Sequence, residues 1–260
     1  MKKVSIVMAY YNRRKLLLNT LKSIQLSRHR DDVEIIIVDD ASDDDHTIDD
    51  IGDMFKLDIK IIKIKKEDKW WINPCIPYNI GFKHVSSDVV IIQNPECFHF
   101  GDIIQYTLLN IKDGVYLNYA CYSIDEQKTN LINKVGENAV LNYVGRILTP
   151  MVNRSIVYDG ETAWYNHSVH RPHKLHFCSA ISKKDLDDLG GFDERFANGI
   201  AFDDNEFLLR IERKPMDIRI IDRPFVIHQF HGVTKYSQKQ EYVQKNMLLY
   251  KSILNKNDEP

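Results

Sequence analysis

Residues 4–9 (VSIVMA) form a short, nearly continuous apolar run between polar positions, the pattern of a strand covered on both faces. Residues 13–26 follow with Leu17, Leu21 and Ile24 at three- and four-residue spacing, which predicts a helix with one apolar face. A second β-branched run, 33–38 (VEIIIV), ends in Asp39 and Asp40, and the acids at 43–45 suit a helix N-terminus. Residues 59–64 alternate like a strand, Asn73 with Pro74 opens a helix, and 89–92 is another buried strand. Strands and helices alternating at these lengths predict an α/β fold, a mostly parallel sheet flanked by helices and joined by right-handed crossovers.

Beyond Gly114 the alternation weakens. Residues 115–124 read as a strand, whereas 125–171 is long, irregular and rich in Asn, Tyr and His, as functional or mobile segments are. Residues 177–181 predict a strand, and Ser182 to Asp185 resembles a capping box opening a helix that stops at Gly190 and Gly191. A helix over 203–213, strands at 218–221 and 225–227 separated by Arg223 and Pro224, and a C-terminal helix over 238–253 complete the pattern. No linker, repeat or low-complexity tract divides the chain, so 1–260 is expected to be one domain with halves at 1–112 and 113–260.

A chain of 260 residues with 43% hydrophobic and 28% charged positions can bury a sizeable core, which excludes disorder, collagen and coiled coil. The 35 basic against 37 acidic side chains leave a net charge of -2, so no global field favours nucleic acid or an anionic membrane, and a small-molecule partner is expected. No apolar run approaches the roughly 20 residues of a membrane span, and residues 1–10 lack a signal-peptide pattern, so the expected location is cytoplasmic. Cys75, Cys97, Cys121 and Cys178 form no Cys-x-x-Cys pair and are expected to be free thiols.

Ligands of open α/β sheets bind beyond the carboxyl ends of the strands. Residues 9–12 (AYYN), 39–42 (DDAS) and 93–96 (QNPE) fall there, offering an aromatic face, carboxylates for a base or sugar hydroxyls, and a metal ligand. Neither a Gly-x-Gly-x-x-Gly nor a P-loop follows the first strand, so a bound diphosphate calls for a divalent cation.

The segments VSIVMAYYNRRKLLLNTLKSI, EIIIVDDASDD, NIGFKHVSSDVVIIQNPE and GGFDERFANGIAFDDNEFLLRI, in this order and spacing, resemble the successive blocks of family 2 glycosyltransferases over residues 3–112 and 176–231. The resemblance implies a GT-A fold, with a nucleotide-binding sheet, an acceptor-side half and a C-terminal helix. It also implies inverting transfer of a sugar from a nucleotide donor, usually a UDP-sugar, to a hydroxyl of a glycan or other acceptor. Residue by residue, it places Ala9, Tyr11 and Asn12 at the nucleotide, Asp39 at the uracil and Asp40 beside it near the ribose. Asn79 and Gly81 match an R-N-x-G segment, with Tyr78 in place of the arginine. Where the family carries D-x-D, this chain has Asn94, Pro95 and Glu96; Asn94 keeps the ribose position, and Glu96 remains to hold Mn²⁺ or Mg²⁺ with a late histidine, His228 or His231, the alternative being a metal-free site in which Lys or Arg faces the diphosphate. Asp204 matches the general base and Asp203 the acid that orients it or bonds the acceptor, with Gly190, Gly191 and Gly199 shaping the turns around them.

The histidines at 167, 170, 173 and 176 are evenly spaced, but Pro172 interrupts any helix and no acid or cysteine completes a zinc set. Trp164, Tyr165, His167, His170 and Arg171 are instead expected to line the acceptor, while Trp70 and Trp71 pack in the core. Met247, Leu248 and Leu249 leave open whether the last helix packs on its own domain or on a second copy. Two other readings compete: a nucleotide-sugar-binding module without turnover, suggested by the altered D-x-D, and a nucleotidyltransferase, which would carry a glycine-rich phosphate loop.

Overall fold

The computed structural model describes residues 3–134, 140–148, 151–232 and 236–256. β1 (Val4–Tyr10), α1 (Arg14–Gln25), β2 (Val33–Asp39), a single-turn α2 (Ile51–Met54), β3 (Asp58–Lys63), α3 (Cys75–Phe82) and β4 (Val89–Gln93) form the first half, with β1 to β4 parallel in the order β3-β2-β1-β4. Strand alternation divides the core between the two faces of this sheet. Val4, Ile6, Met8, Ile35 and Ile37 pack with Leu17, Leu21 and Ile24 of α1, whereas Val7, Ile36 and Ile92 pack with Ile76 and Phe82 of α3. α3 comes so close to the sheet that a Cβ on Gly81 would overlap the Val7 side chain.

The second half adds β5 (Cys97–Phe100), α4 (Ile103–Asn110), β6 (Val115–Ser123), α5 (Glu126–Lys134), α6 (Val140–Ile147), β7 (Ala163–Asn166), β8 (Cys178–Ser182), α7 (Lys183–Leu189), α8 (Asp203–Arg213), β9 (Asp217–His228) and α9 (Tyr236–Lys256). The sheet continues β4-β8-β6-β9-β5, with β7 beside β6; β8 runs antiparallel to both β4 and β6, so the sheet is parallel in the first half and mixed beyond it.

Several expectations change. The acids 43–45 open only a 3-10 turn, because Asp43 is engaged by Asn12 and Lys66. The irregular stretch 125–171 contains α5, α6 and β7. The two runs expected at 218–221 and 225–227 are one strand, since both pair with β6 across a register offset between Tyr119 and Cys121; the cis Arg223-Pro224 peptide lies in that offset, where no ladder donor is needed. The helix at 183–189 ends as expected: Ser182 Oγ accepts from Asp185 N (3.1 Å) and Gly190 is left-handed at φ 76°. The four cysteines are buried and free. Among the described residues no helix is long and apolar enough to cross a membrane.

Candidate active site

The carboxyl ends of β1, β2 and β4 open onto one edge of the sheet. A cleft of about 470 Å³ there is walled by Ala9, Tyr11, Arg13, Asp40, Lys69, Trp71 and neighbours. Asp40 is buried and accepts from Lys69 Nζ (2.9 Å) and Trp71 Nε1 (2.8 Å). Burial pushes its carboxyl above the ordinary value, and the two donors act against that rise. Lys69 Nζ also lies 4.1 Å from the centroid of the Tyr11 ring, so the cation tethers the exposed aromatic to the carboxylate. Asn12 and Ala41 turn the chain with left-handed φ of 52° and 59°. Asn12 Nδ2 donates to Asp43 Oδ2 (2.7 Å) and Asp43 N donates to Asn12 Oδ1 (2.8 Å), locking these turns together.

Of the two aspartates expected at the nucleotide, the structure puts Asp40 in the cleft wall. Asp39 Oδ1 accepts from Ser42 N (3.1 Å) and is absent from the cleft wall, while Asp40, of opposite parity, forms part of it. Asn12 links loops instead of facing the cleft. Asn79 also points elsewhere: its carboxamide exchanges bonds with Phe192 N and O (2.8 and 2.9 Å) and braces the G-G-F-D-E turn.

A second cleft, about 460 Å³, is shared by Arg13, Glu96, Asp159, Tyr165, Arg171, His228 and His231, among others. Glu96 is 1% exposed; its Oε2 accepts from Arg13 Nη1 (2.7 Å), and its Oε1 lies 3.3 Å from His228 Nε2 and 3.9 Å from His231 Nε2. Burial alone would raise the Glu96 carboxyl, but Arg13 and the two imidazoles outweigh it and hold the group well below the carboxylate range. Burial pushes His231 down to about 4 against the pull of Glu96. One atom from each of Glu96, His228 and His231 fits within a span of 4.8 Å, the one such cluster among the described residues. A carboxylate oxygen with two neutral imidazole nitrogens suits Mn²⁺ better than Mg²⁺, and the set fits a divalent cation. Gln229 fixes the arrangement: its backbone N (3.2 Å) and Nε2 (3.0 Å) both donate to Glu96 O, and Asn19 Nδ2 of α1 donates to its Oε1 (2.8 Å).

A third cleft, about 260 Å³, has walls including Ile72, Phe177, Phe192 and Ile200, with Asp203 and Asp204 at the start of α8. Asp203 is buried and accepts from Asn73 Nδ2 (2.8 Å); burial raises its carboxyl. Asp204 is pushed up to about 7, by burial first and by the charge of Asp203 second. Immediately before them, Ala201 and Phe202 are both left-handed (φ 61° and 67°), a strained approach for non-glycine residues. α9 braces it through Asn246 Nδ2, which donates to Ala201 O (2.8 Å) and Phe196 O (3.0 Å). Gly199 is needed for room and not for φ, since an added Cβ would overlap the Asn246 carboxamide. Pro74 and Asn94 belong to all three clefts, and Asn94 Nδ2 reaches Glu96 Oε1 at 3.3 Å.

Of the five expected acceptor residues, Tyr165 and Arg171 line the second cleft. Trp164 does not: it is 2% exposed and packs with Tyr122 and Phe225 in the core. His167 and His170 lie against that ring (centroids 4.4 and 6.5 Å) and line none of the three clefts. The even histidine series gathers no metal set, and His176 is buried against the Tyr116 hydroxyl at 2.5 Å. Trp70 is 60% exposed, contrary to the expected core role, whereas Trp71 is buried and also holds Asp40. Arg13, Lys69, Asn73, Gln229 and Asn246 were not singled out by sequence as site residues; Arg13 stands in the first quoted block beside Asn12, and Gln229 lies between His228 and His231.

The fold and its three joined clefts define a GT-A glycosyltransferase architecture. The family profile described as Glycosyl transferase family 2 matches residues 5–190. Chondroitin synthase of Escherichia coli is 25% identical over 240 residues, covering 87% of this chain and 34% of that protein, so the chain spans about a third of this curated relative. Among solved structures, S. aureus TarS 1-349 in complex with UDP-GlcNAc superposes at TM-score 0.61 with 14% identity, covering 90% of this chain and 60% of that one. Mannosyltransferase PcManGT from Pyrobaculum calidifontis, in complex with GDP-Man and Mn²⁺, gives TM-score 0.56 at 14% identity over 95% and 63%. The chain belongs to glycosyl transferase family 2.

Proposed function

We propose that this enzyme transfers a sugar from a nucleotide-diphosphate donor, a UDP-sugar, to an acceptor hydroxyl with inversion, and that Asp204 is the general base. The observation carrying this reading is the meeting of a nucleoside-sized cleft, a Glu–His cluster and the acid pair of α8 at Pro74 and Asn94. The nucleoside occupies the first cleft against Tyr11 and Asp40, its diphosphate reaches Arg13 and the Glu96 cluster, and the sugar extends toward Asp204. When bound at Glu96, His228 and His231, a divalent cation supplies positive charge for the diphosphate leaving group. The acceptor oxygen loses its proton to the Asp204 carboxylate, forms the new bond to the anomeric carbon, and the bond from that carbon to the diphosphate oxygen breaks on the opposite face. Asp203, held by Asn73, helps keep the Asp204 pKa near the working pH. Residues 1–112 act mainly on the donor and 113–260 on the acceptor, with His228 and His231 returned to the donor side by β9.

The test is a thermal-shift panel of UDP, GDP, dTDP and CMP, each with Mn²⁺ and with EDTA, followed by NMR of the product anomer. UDP should stabilise most, more so with Mn²⁺, and an α-linked donor should give a β-linked product. Retention of configuration, or no response to any nucleotide, refutes the proposal.

A further inference from the structure

Glu96 divides its two oxygens between opposite kinds of neighbour. Oε2 is taken by the Arg13 guanidinium at 2.7 Å, while Oε1 faces His228 and His231. A cation can therefore use Oε1 and both imidazoles without displacing Arg13. The charge it would meet is small. Ligating imidazoles are neutral, and Asn94, the other polar residue beside Glu96, carries no charge. Around the second cleft, Arg13 and Arg171 balance Glu96 and Asp159. Affinity for a hard dication follows the ligand charge count, so a balanced cleft holds it poorly. Arg13 also walls the first cleft, which puts its guanidinium where a nucleotide passes from one cleft to the other. Its backbone is fixed, since its carbonyl accepts from Leu16 N and Leu17 N at 3.0 Å, but its side chain is 34% exposed and open to a second partner.

We propose that Arg13 couples the cation to the donor: by neutralising Glu96 it keeps the cluster weak for a free divalent ion, and it shares its charge with the diphosphate, so cation and nucleotide bind strongly only together. This inference rests on the donor and metal reading above. A nucleotide-sugar diphosphate brings about two negative charges, which offset the dication and leave Arg13 balancing Glu96. The coupling is reciprocal, so UDP must tighten Mn²⁺ by the same factor that Mn²⁺ tightens UDP.

The experiment is a Mn²⁺ titration followed by electron paramagnetic resonance, and a UDP titration by calorimetry, each with and without the other ligand. It uses the wild type, Arg13→Met, Arg13→Lys and Glu96→Gln, each with its unfolding transition recorded. In the wild type, UDP should tighten Mn²⁺ on the order of tenfold or more. Arg13→Met should bind Mn²⁺ alone several-fold tighter, bind UDP alone more weakly, and lose most of the coupling factor, whereas Arg13→Lys should retain much of it because the charge remains. Wild-type Mn²⁺ affinity and coupling in Arg13→Met, with Glu96→Gln no longer binding Mn²⁺, overturns the role of Arg13 and leaves the metal site standing. Arg13→Lys losing coupling as fully as Arg13→Met also overturns it. Absence of Mn²⁺ binding by the wild type at saturating UDP overturns both this inference and the metal reading.

Discussion

Replacing Asp204 by Asn keeps the side-chain shape and the acceptor for Asn205 N (2.9 Å) but removes both ionisation and proton uptake. Two effects of opposite sign should follow. Transfer should fall roughly 10²–10⁴-fold, the usual contribution of a positioned base. Stability should rise, and only where the carboxyl of the unfolded wild-type chain is ionised. The folded carboxyl sits at about 7 instead of 3.8, so the folded chain keeps a proton that the unfolded chain has already released. The resulting penalty is absent below about pH 4, grows up to about pH 7 and is constant above. At about 1.4 kcal/mol per pH unit the full interval is about 4 kcal/mol. Because the carboxylate is partly open to water and shares its field with Asp203, about 2 kcal/mol is expected, or about 4–8 °C in Tm for a chain of this size. Scanning calorimetry of both proteins should show curves that nearly coincide at about pH 4 and separate up to about pH 8, while wild-type transfer at about pH 6 runs near one-tenth of its plateau. A Tm gap of equal size at both ends of that range, or transfer flat between about pH 6 and 8, refutes the assignment.

Trp71→Phe removes the indole donor and leaves buried Asp40 to Lys69 alone, costing about 1–3 kcal/mol. UDP calorimetry should show weaker binding with little change in Mn²⁺ coupling, and unchanged UDP affinity would remove Asp40 from the nucleoside site. Gly199→Ala forces a methyl into the Asn246 carboxamide and should lower stability by about 1–3 kcal/mol. Because Gly199 has no positive φ, adding Asn246→Ala should recover part of that loss, and strict additivity in the double-mutant cycle would contradict the steric account.

How well the sequence could be read depended on whether the chain stayed in a regular element. β1, β2 and β4 were legible because strands buried on both faces need unbroken β-branched runs, and α8 because its two leading acids and its Phe207 and Ile211 stripe follow helix spacing. Glu96 and His228 were linked in sequence only by the family resemblance; in the structure Cys97 stands opposite His228 in the β5 and β9 ladder, which brings the two side chains to one place. The misplacements fall next to breaks in that regularity. Asn12 and Ala41 are left-handed residues that periodicity does not register, and it was Asn12 and the parity of Asp39 and Asp40 that came out differently. Among the described residues of 125–171, Ile132, Val144, Leu148 and Trp164 form a separate cluster with Tyr122 and Phe225, so an aromatic that looked available to a sugar is a core side chain. Ala201 and Phe202 are the exception that explains the rest. The turn there is as strained as the others, yet the helix expected from residue 203 does begin at Asp203, because its own spacing fixes it. Residue chemistry is legible wherever an element fixes its direction, and Arg13, ending a turn and beginning a helix, was hidden because its sequence neighbours describe the helix while its side chain serves Glu96.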